Sequence, residues 1–237
     1  MKHDGYQHLR AERIIETLAK LQARVHDRFP EAGLSRVCAE LVETARFCAQ
    51  DAAQLARPGI VWRMLALTLG VAGLAAQVAA FRYLHVDASG LAAPDLVQAL
   101  ESAVNLLILF GGAVWFVLTL EERSKRRRAL DALHRLRAVA HVIDMHQLTK
   151  DPTTLLDPQP TSASPPRSMT QFELTRYLDY CAEMLSLIGK LAALYADRMR
   201  DAVVIDAVND IEDLTTGLGR KIWQKITIIG ALQERRR

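Results

Sequence analysis

The sequence predicts an all-α integral membrane protein with a two-span transmembrane hairpin and a coiled-coil-like helical bundle. Charged residues make up 24% of the 237 residues, but residues 64–120 carry only Arg82, Asp87, Asp95 and Glu101. The segments on either side repeat apolar residues at alternating steps of four and three, a pattern typical of packed helices. This composition argues against a disulfide scaffold, a collagen and a wholly disordered chain.

Residues 1–57 are predicted to form an N-terminal helical hairpin. Its helices cover about residues 7–28 and 34–57, because Pro30 and Gly33 end the first helix. No apolar secretory signal precedes them in the sequence. The predicted buried stripes are Ile14, Leu18, Leu21 and Val25 on the first helix, and Leu34, Cys38, Leu41, Ala45, Cys48, Ala52 and Leu55 on the second. The cysteines on such stripes are predicted to be free, buried thiols.

Residues 58–122 are predicted to form the transmembrane hairpin. Its apolar segments, residues 60–81 and 103–120, are close to the roughly 20 helical residues that cross about 30 Å of hydrocarbon. The alternative is a hairpin buried in the core of a soluble protein, since the first segment is rich in alanine and carries Arg63 and Gln77. The absence of charge from residues 64–81 and 102–120 favours the membrane.

The distribution of basic residues predicts the orientation of the hairpin. Arg57 and Arg63 flank the first span, and residues 121–128 (EERSKRRR) place five basic residues after the second. The short acidic loop between the spans, residues 85–96, has no Lys or Arg. The positive-inside rule then places both termini in the cytoplasm and the protein in the plasma (inner) membrane. The basic cluster suits anionic lipid headgroups better than nucleic acid, because the net charge is only +3.

Small residues within the spans predict close helix packing. They are Gly70, Ala72, Ala76 and Ala80 in the first span, and Gly111 and Gly112 in the second. Lipid provides no hydrophobic drive for association, so small residues that allow close approach mark helix contacts in membranes. The contact can lie within one chain or between chains, and the spacing does not separate these alternatives.

Three polar residues of the predicted membrane region are candidate pore or intramembrane positions. Gln77 and Asn105 lie inside the spans, and Glu101 lies at the membrane edge. Buried amides in a membrane need partners on neighbouring helices, and such residues can also line a water path.

Residues 123–150 are predicted to continue the second span as one helix from about Leu96 to Thr149. Residues 151–169 contain five of the eight prolines and are predicted to be a linker. Residues 170–237 are predicted to form a C-terminal helical hairpin that begins with a capping box at Thr170 and Glu173. Gly217 and Gly219 predict a weak point in the last helix. The predicted stripes are Leu174, Leu178, Cys181, Leu185, Ile188, Ala192 and Tyr195, then Val204, Val208, Ile211, Leu218, Ile222 and Ile229.

The helix before the linker carries a polar face formed by His134, Arg137, His141 and Asp144. One interpretation is a polar seam in which Arg137 and His141 pair with acidic residues of the C-terminal helices. The acidic candidates are Asp179, Glu183, Asp206, Asp210, Glu212 and Asp213. One alternative is a metal site built on His141, Asp144 and His146 with ligands from another helix. The other is a pH-responsive or ligand-binding role, since histidine titrates near neutral pH.

The sequence contains no glycine-rich phosphate loop, nucleophile elbow or CxxC pair. We therefore expect a non-enzymatic, homo-oligomeric membrane protein without a cofactor, whose bundle scaffolds or gates an assembly such as a pore, channel or effector. Its expected partners are the lipid bilayer, further copies of itself and a soluble cytoplasmic protein, but no nucleic acid. One alternative is an anchor that recruits this soluble protein through its C-terminal helices. The other is a metal-binding membrane protein or enzyme.

Overall fold

The computed structural model describes residues 9–83, 93–150, 152 and 169–234, and its regular structure is helical throughout these ranges. The predicted all-α class is therefore confirmed for them. The six helices are α1 Ala11–Arg28, α2 Gly33–Leu55, α3 Ile60–Tyr83, α4 Ala93–Leu148, α5 Gln171–Arg198 and α6 Ala202–Glu234. Most of the predicted loop 85–96 and of the linker 151–169 lies outside the described residues, and so does Asp87.

The chain divides into two compact units. The first, called the bundle below, comprises residues 1–56 and 128–237; the second, called the hairpin, comprises residues 57–127. The boundary at residues 127 and 128 falls within α4. Each unit is described separately.

The core of the bundle consists of the apolar stripes predicted for its helices. Every predicted stripe residue on α1, α2, α5 and α6 is buried, and so are Leu133, Leu136, Ala140 and Ile143 on α4. Burial of a leucine-sized side chain contributes about 1.5–3 kcal/mol, so this repeated pattern is the main source of stability in the bundle.

Helix α5 is the central helix of the bundle, because it packs against α1, α2 and α6. The sequence pattern predicts one stripe on α5, but buried residues occur around most of its circumference. Among them, Tyr177 and Tyr180 make edge contacts with Phe29 at the end of α1, with ring centroids 5.5 and 6.3 Å apart.

Helices α5 and α6 begin at side-chain caps. The backbone N–H of Glu173 donates to Thr170 Oγ1 at 3.2 Å, and the backbone N–H of Thr170 donates to Glu173 Oε2 at 2.7 Å. These bonds form the predicted capping box. Asp201 caps α6 by accepting the backbone N–H groups of Val203 and Val204 at 3.0 and 3.2 Å.

Several predicted features of the helices differ from the structure. Helix α1 begins at Ala11 rather than near Gln7, and α4 begins at Ala93, so that residues 93–96 of the predicted loop are helical. Helix α6 continues through Gly217 and Gly219 without a break. The helix stays continuous because Leu218 and Ile222 of the same segment are buried in the core, and this packing outweighs the roughly 2 kcal/mol that two glycines cost in helix propensity.

The described residues include two helices that are long and apolar enough to cross a membrane. The candidate stretches lie in Gly33–Ala79 and Leu100–Leu148, and their most apolar windows have mean hydropathies of 1.7 and 2.2. These windows are only 11% and 6% buried, whereas a core helix of a soluble protein is mostly buried. Large apolar side chains such as Leu74, Leu107 and Trp115 are instead exposed on the hairpin surface.

Candidate functional site

Small residues of α3 form the helix contact within the hairpin. A Cβ atom at Gly73 would lie 2.6 Å from Phe110 Cγ, and one at Gly70 would lie 4.0 Å from Val114 Cγ2. Ala66 and Val117 are buried in the same region. Gly73 therefore lets α3 and α4 of one chain approach closely.

Apart from Gly70, the predicted packing residues lie elsewhere on the hairpin. Ala72 is exposed and Ala76 is half-buried, whereas the side chain of Ala80 lies outside the described part of the chain. Gly111 and Gly112 are exposed, and a Cβ atom added at either would meet no described atom within 4 Å. Small residues therefore occupy two kinds of surface, one facing the partner helix and one facing outward.

The three intramembrane polar candidates do not converge in one chain. Gln77 follows Gly73 by one turn and is half-buried beside the α3–α4 contact. Asn105 and Glu101 lie one turn apart on α4, and both are exposed on the hairpin surface. Asn105 shares this outward face with Gly112, because seven residues make nearly two helical turns.

A buried carboxylate at one end of the hairpin was missed by the sequence analysis, which grouped it with the basic cluster. Glu121 is only 8% exposed, and its Oε1 accepts the backbone N–H of Gly59 at 2.7 Å. The ammonium of Lys125 lies 2.7 Å from the same oxygen and donates to the carbonyl of Arg57 at 2.9 Å. Glu121 thus supplies the negative charge that the N-terminus of α3 favours.

The residues of the basic cluster after the second apolar segment differ in their contacts: some form ion pairs and others are exposed. Lys125 pairs with Glu121, and Arg128 pairs within the bundle with the buried carboxylate of Asp51 at 2.7 Å. Arg123 and Arg127 are exposed. Part of the cluster is therefore structural, which its position in the sequence does not indicate.

The predicted polar seam contains one ion pair between helices. Arg137 Nη2 on α4 lies 3.4 Å from Asp210 Oδ2 on α6. His134 lines a small cavity of about 30 Å³ beside this pair. Two other acidic candidates have different partners: Glu183 pairs with Arg24 at 2.5 Å, and Asp179 pairs with Arg176 at 3.1 Å.

The structure does not bring His141, Asp144 and His146 together. His141 is exposed, and Asp144 accepts a hydrogen bond from Gln147 Nε2 at 2.6 Å. The ring of His146 lies against Gly33, where a Cβ atom would be 2.5 Å from its Cε1. Burial, followed by the charges of Lys150 and Arg36, lowers the pKa of His146. No group of three or more His, Cys, Asp or Glu side chains suited to a metal ion occurs among the described residues.

A buried polar network in the bundle was also missed. Asp51 is 5% exposed and accepts hydrogen bonds from Arg128 Nη2 at 2.7 Å and from the Tyr195 hydroxyl at 3.3 Å. Burial raises the pKa of Tyr195, and the neighbouring Cys48 and Asp51 raise it further. The sequence did contain an indication of this network. Asp51 follows Cys48 by three residues, a spacing that places a carboxylate on the apolar stripe of α2.

All three cysteines are free and buried, as predicted. Burial raises the pKa of the Cys38 and Cys48 thiols to about 11 and that of Cys181 to about 12. Because only the thiolate is nucleophilic, these values disfavour a role in catalysis.

No family model, characterised protein or solved structure matches this chain.

Proposed function

We propose that the protein is a non-enzymatic, homo-oligomeric two-span protein of the plasma (inner) membrane, with the bundle and both termini in the cytoplasm. In this proposal the bundle scaffolds or gates the membrane assembly, which conducts ions if the copies enclose a pore. The observation that carries the proposal is the apolar, exposed surface of the hairpin, which includes the polar side chain of Asn105.

The amide of Asn105 supports self-association in particular. An amide in hydrocarbon without a hydrogen bond costs roughly 2–7 kcal/mol, so an outward-facing Asn105 within a span needs a partner. An amide both donates and accepts, so Asn105 of a second copy is a complementary partner. The open space at Gly111 and Gly112 on the same helix lets another helix approach closely.

Two spans cannot enclose a water path, so conduction requires several copies. Glu101 lies one turn before Asn105 on the exposed surface, and a ring of such carboxylates attracts cations. Exposed Arg123 and Arg127 favour a position at anionic headgroups, where each basic side chain contributes about 1 kcal/mol.

Mass photometry of the chain in lipid nanodiscs and in detergent tests the assembly. We expect a defined oligomer that Asn105→Leu and Gly112→Leu shift towards monomer. Ala72→Leu, a matched substitution of an exposed small residue on α3, should leave the mass unchanged. A monomeric unsubstituted protein would contradict the proposal. Dissociation by Ala72→Leu alone would indicate that the contact between copies lies on α3 instead of α4.

The alternative function is a non-conducting anchor that recruits a soluble protein through its C-terminal helices. Exposed apolar residues on α5 and α6 favour this alternative: Phe172, Val203 and Ile228 are 62%, 47% and 42% exposed. Cation flux into liposomes separates a conducting assembly from an anchor. An oligomeric pore dissipates the ion gradient faster as the density of protein in the liposomes rises. An anchor leaves the gradient intact at every density.

A further inference from the structure

A groove with a volume of about 530 Å³ lies between α5 and α6 on the bundle. The two helices are antiparallel, since Gly189 of α5 faces Thr215 of α6 and Gln171 Nε2 donates to the Ile229 carbonyl at 2.8 Å. Pockets that hold small ligands have volumes of roughly 300–1,000 Å³, so the groove has the capacity for one.

Two glycines shape the groove. A Cβ atom at Gly189 would lie 3.2 Å from Thr215 Oγ1, so glycine permits the close approach of the helices at that level. A Cβ atom at Gly219 would meet no described atom within 4 Å, although this residue also lines the groove. The missing side chain at Gly219 therefore leaves space in the groove rather than allowing a helix contact.

Two cationic side chains converge on this space. Lys190 Nζ donates to Ser186 Oγ at 2.7 Å, so the ammonium bends back by one turn of α5. Arg220 lines the groove from α6, directly after Gly219. A guanidinium and an ammonium on opposite walls are the groups that proteins use to bind phosphate.

An aromatic side chain and a carboxylate lie at opposite ends of the groove. Trp223 follows Arg220 by about one turn on α6, and 62% of its surface is exposed. An exposed indole offers a flat face on which a nucleobase can stack. Glu212 lines the groove about 16 Å along α6 from Trp223, and its charge repels an anion that extends past Lys190.

We propose that this groove binds a nucleoside mono- or diphosphate, with the base against Trp223 and the phosphate between Lys190 and Arg220. The sugar lies over the space left by Gly219. The proposal goes beyond the membrane assembly and does not depend on it, because the groove belongs to the bundle alone.

The test is a titration of the full chain in detergent with AMP, ADP, GMP, GDP and inorganic phosphate. The chain has three tryptophans, at positions 62, 115 and 223, so Trp62→Phe with Trp115→Phe leaves Trp223 as the fluorescent reporter. We expect saturable quenching by a nucleotide, with Lys190→Ala and Arg220→Ala each weakening binding about fivefold to tenfold. Glu212→Gln should strengthen binding, because it removes the repelling charge.

Matched controls separate the site from a general charge effect. Lys221→Ala removes an exposed cation next to Arg220 that does not line the groove, and it should not change binding. Gly219→Leu should abolish binding, whereas Gly217→Leu should preserve it, because Gly217 has equally open surroundings but lies outside the groove lining. Calorimetry on the unsubstituted chain repeats the measurement without the tryptophan substitutions.

Two results would overturn the proposal. One is the absence of saturable binding of any of these four nucleotides up to about 1 mM by both methods. The other is inorganic phosphate that binds as tightly as the nucleotides, since the indole would then contribute nothing.

Discussion

Substitution of Gly73 by alanine tests the helix contact within the hairpin. The added Cβ would lie 2.6 Å from Phe110 Cγ and 2.8 Å from Phe110 Cβ. Because these atoms are close to the α4 backbone, a rotation of the ring does not relieve the clash. Overpacking of this kind costs about 1–3 kcal/mol, and alanine returns about 1 kcal/mol through helix propensity.

The matched control is Gly70→Ala on the same face of α3. Its Cβ would lie 4.0 Å from Val114 Cγ2, an ordinary contact, so this variant gains the propensity without a clash. The propensity gain is the same for both variants, so their free energies of unfolding should differ by about 1–3 kcal/mol.

Equilibrium unfolding in mixed micelles of mild detergent and dodecyl sulfate, followed by circular dichroism, measures this difference. We expect Gly73→Ala to unfold at a lower dodecyl sulfate fraction than Gly70→Ala. Equal midpoints, or a more stable Gly73→Ala protein, would refute the close approach of α3 to Phe110.

Three further predictions concern the bundle. Tyr195→Phe removes the hydroxyl that donates to Asp51 and should lower the free energy of unfolding by about 1 kcal/mol in thermal melts; no change would show that the bond contributes nothing. The three buried thiols should not react with a thiol reagent near about pH 8 until the protein is denatured, and rapid labelling of the native protein would contradict their burial. The lowered pKa of His146 means that the unfolded chain binds the proton more readily, so stability should fall as pH drops through about 6.5, the unfolded-state value. His146→Gln should reduce this pH dependence, and an unchanged slope would assign it to other groups.

The helices of the bundle could be predicted because local periodicity and burial have the same cause. A side chain on the apolar stripe of an amphipathic helix leaves water wherever the helix packs, so Leu18 and Leu178 could be assigned to the core without knowing their neighbours. The central position of α5 could not be predicted in this way. It depends on which helices surround α5, and the spacing along one helix does not contain that information.

The polar contacts were harder to predict because they join distant parts of the chain. Arg137 had six acidic candidates in the sequence, and only the packing of α4 against α6 selects Asp210. Glu121 was interpreted as part of a charged run, but folding of the hairpin places it at Gly59. The groove residues Lys190 and Arg220 carry no motif, since they belong to different helices and line one groove only in the packed bundle.

The division of small residues in the hairpin bears directly on the proposed self-association. Gly73 is already in contact with Phe110 of the same chain, so a second copy cannot use that surface without separating α3 from α4. Among the described residues, none packs closely against the face that includes Asn105 and Gly112. Asn105 is exposed, and a Cβ atom at Gly112 would meet no described atom within 4 Å. A hydrogen bond between side-chain amides of two helices contributes about 1–2 kcal/mol in a membrane, which is too little to hold two chains together alone. The proposed contact therefore depends on the close approach at Gly112 as much as on Asn105, and Gly112→Leu should dissociate the copies even when the amide is intact.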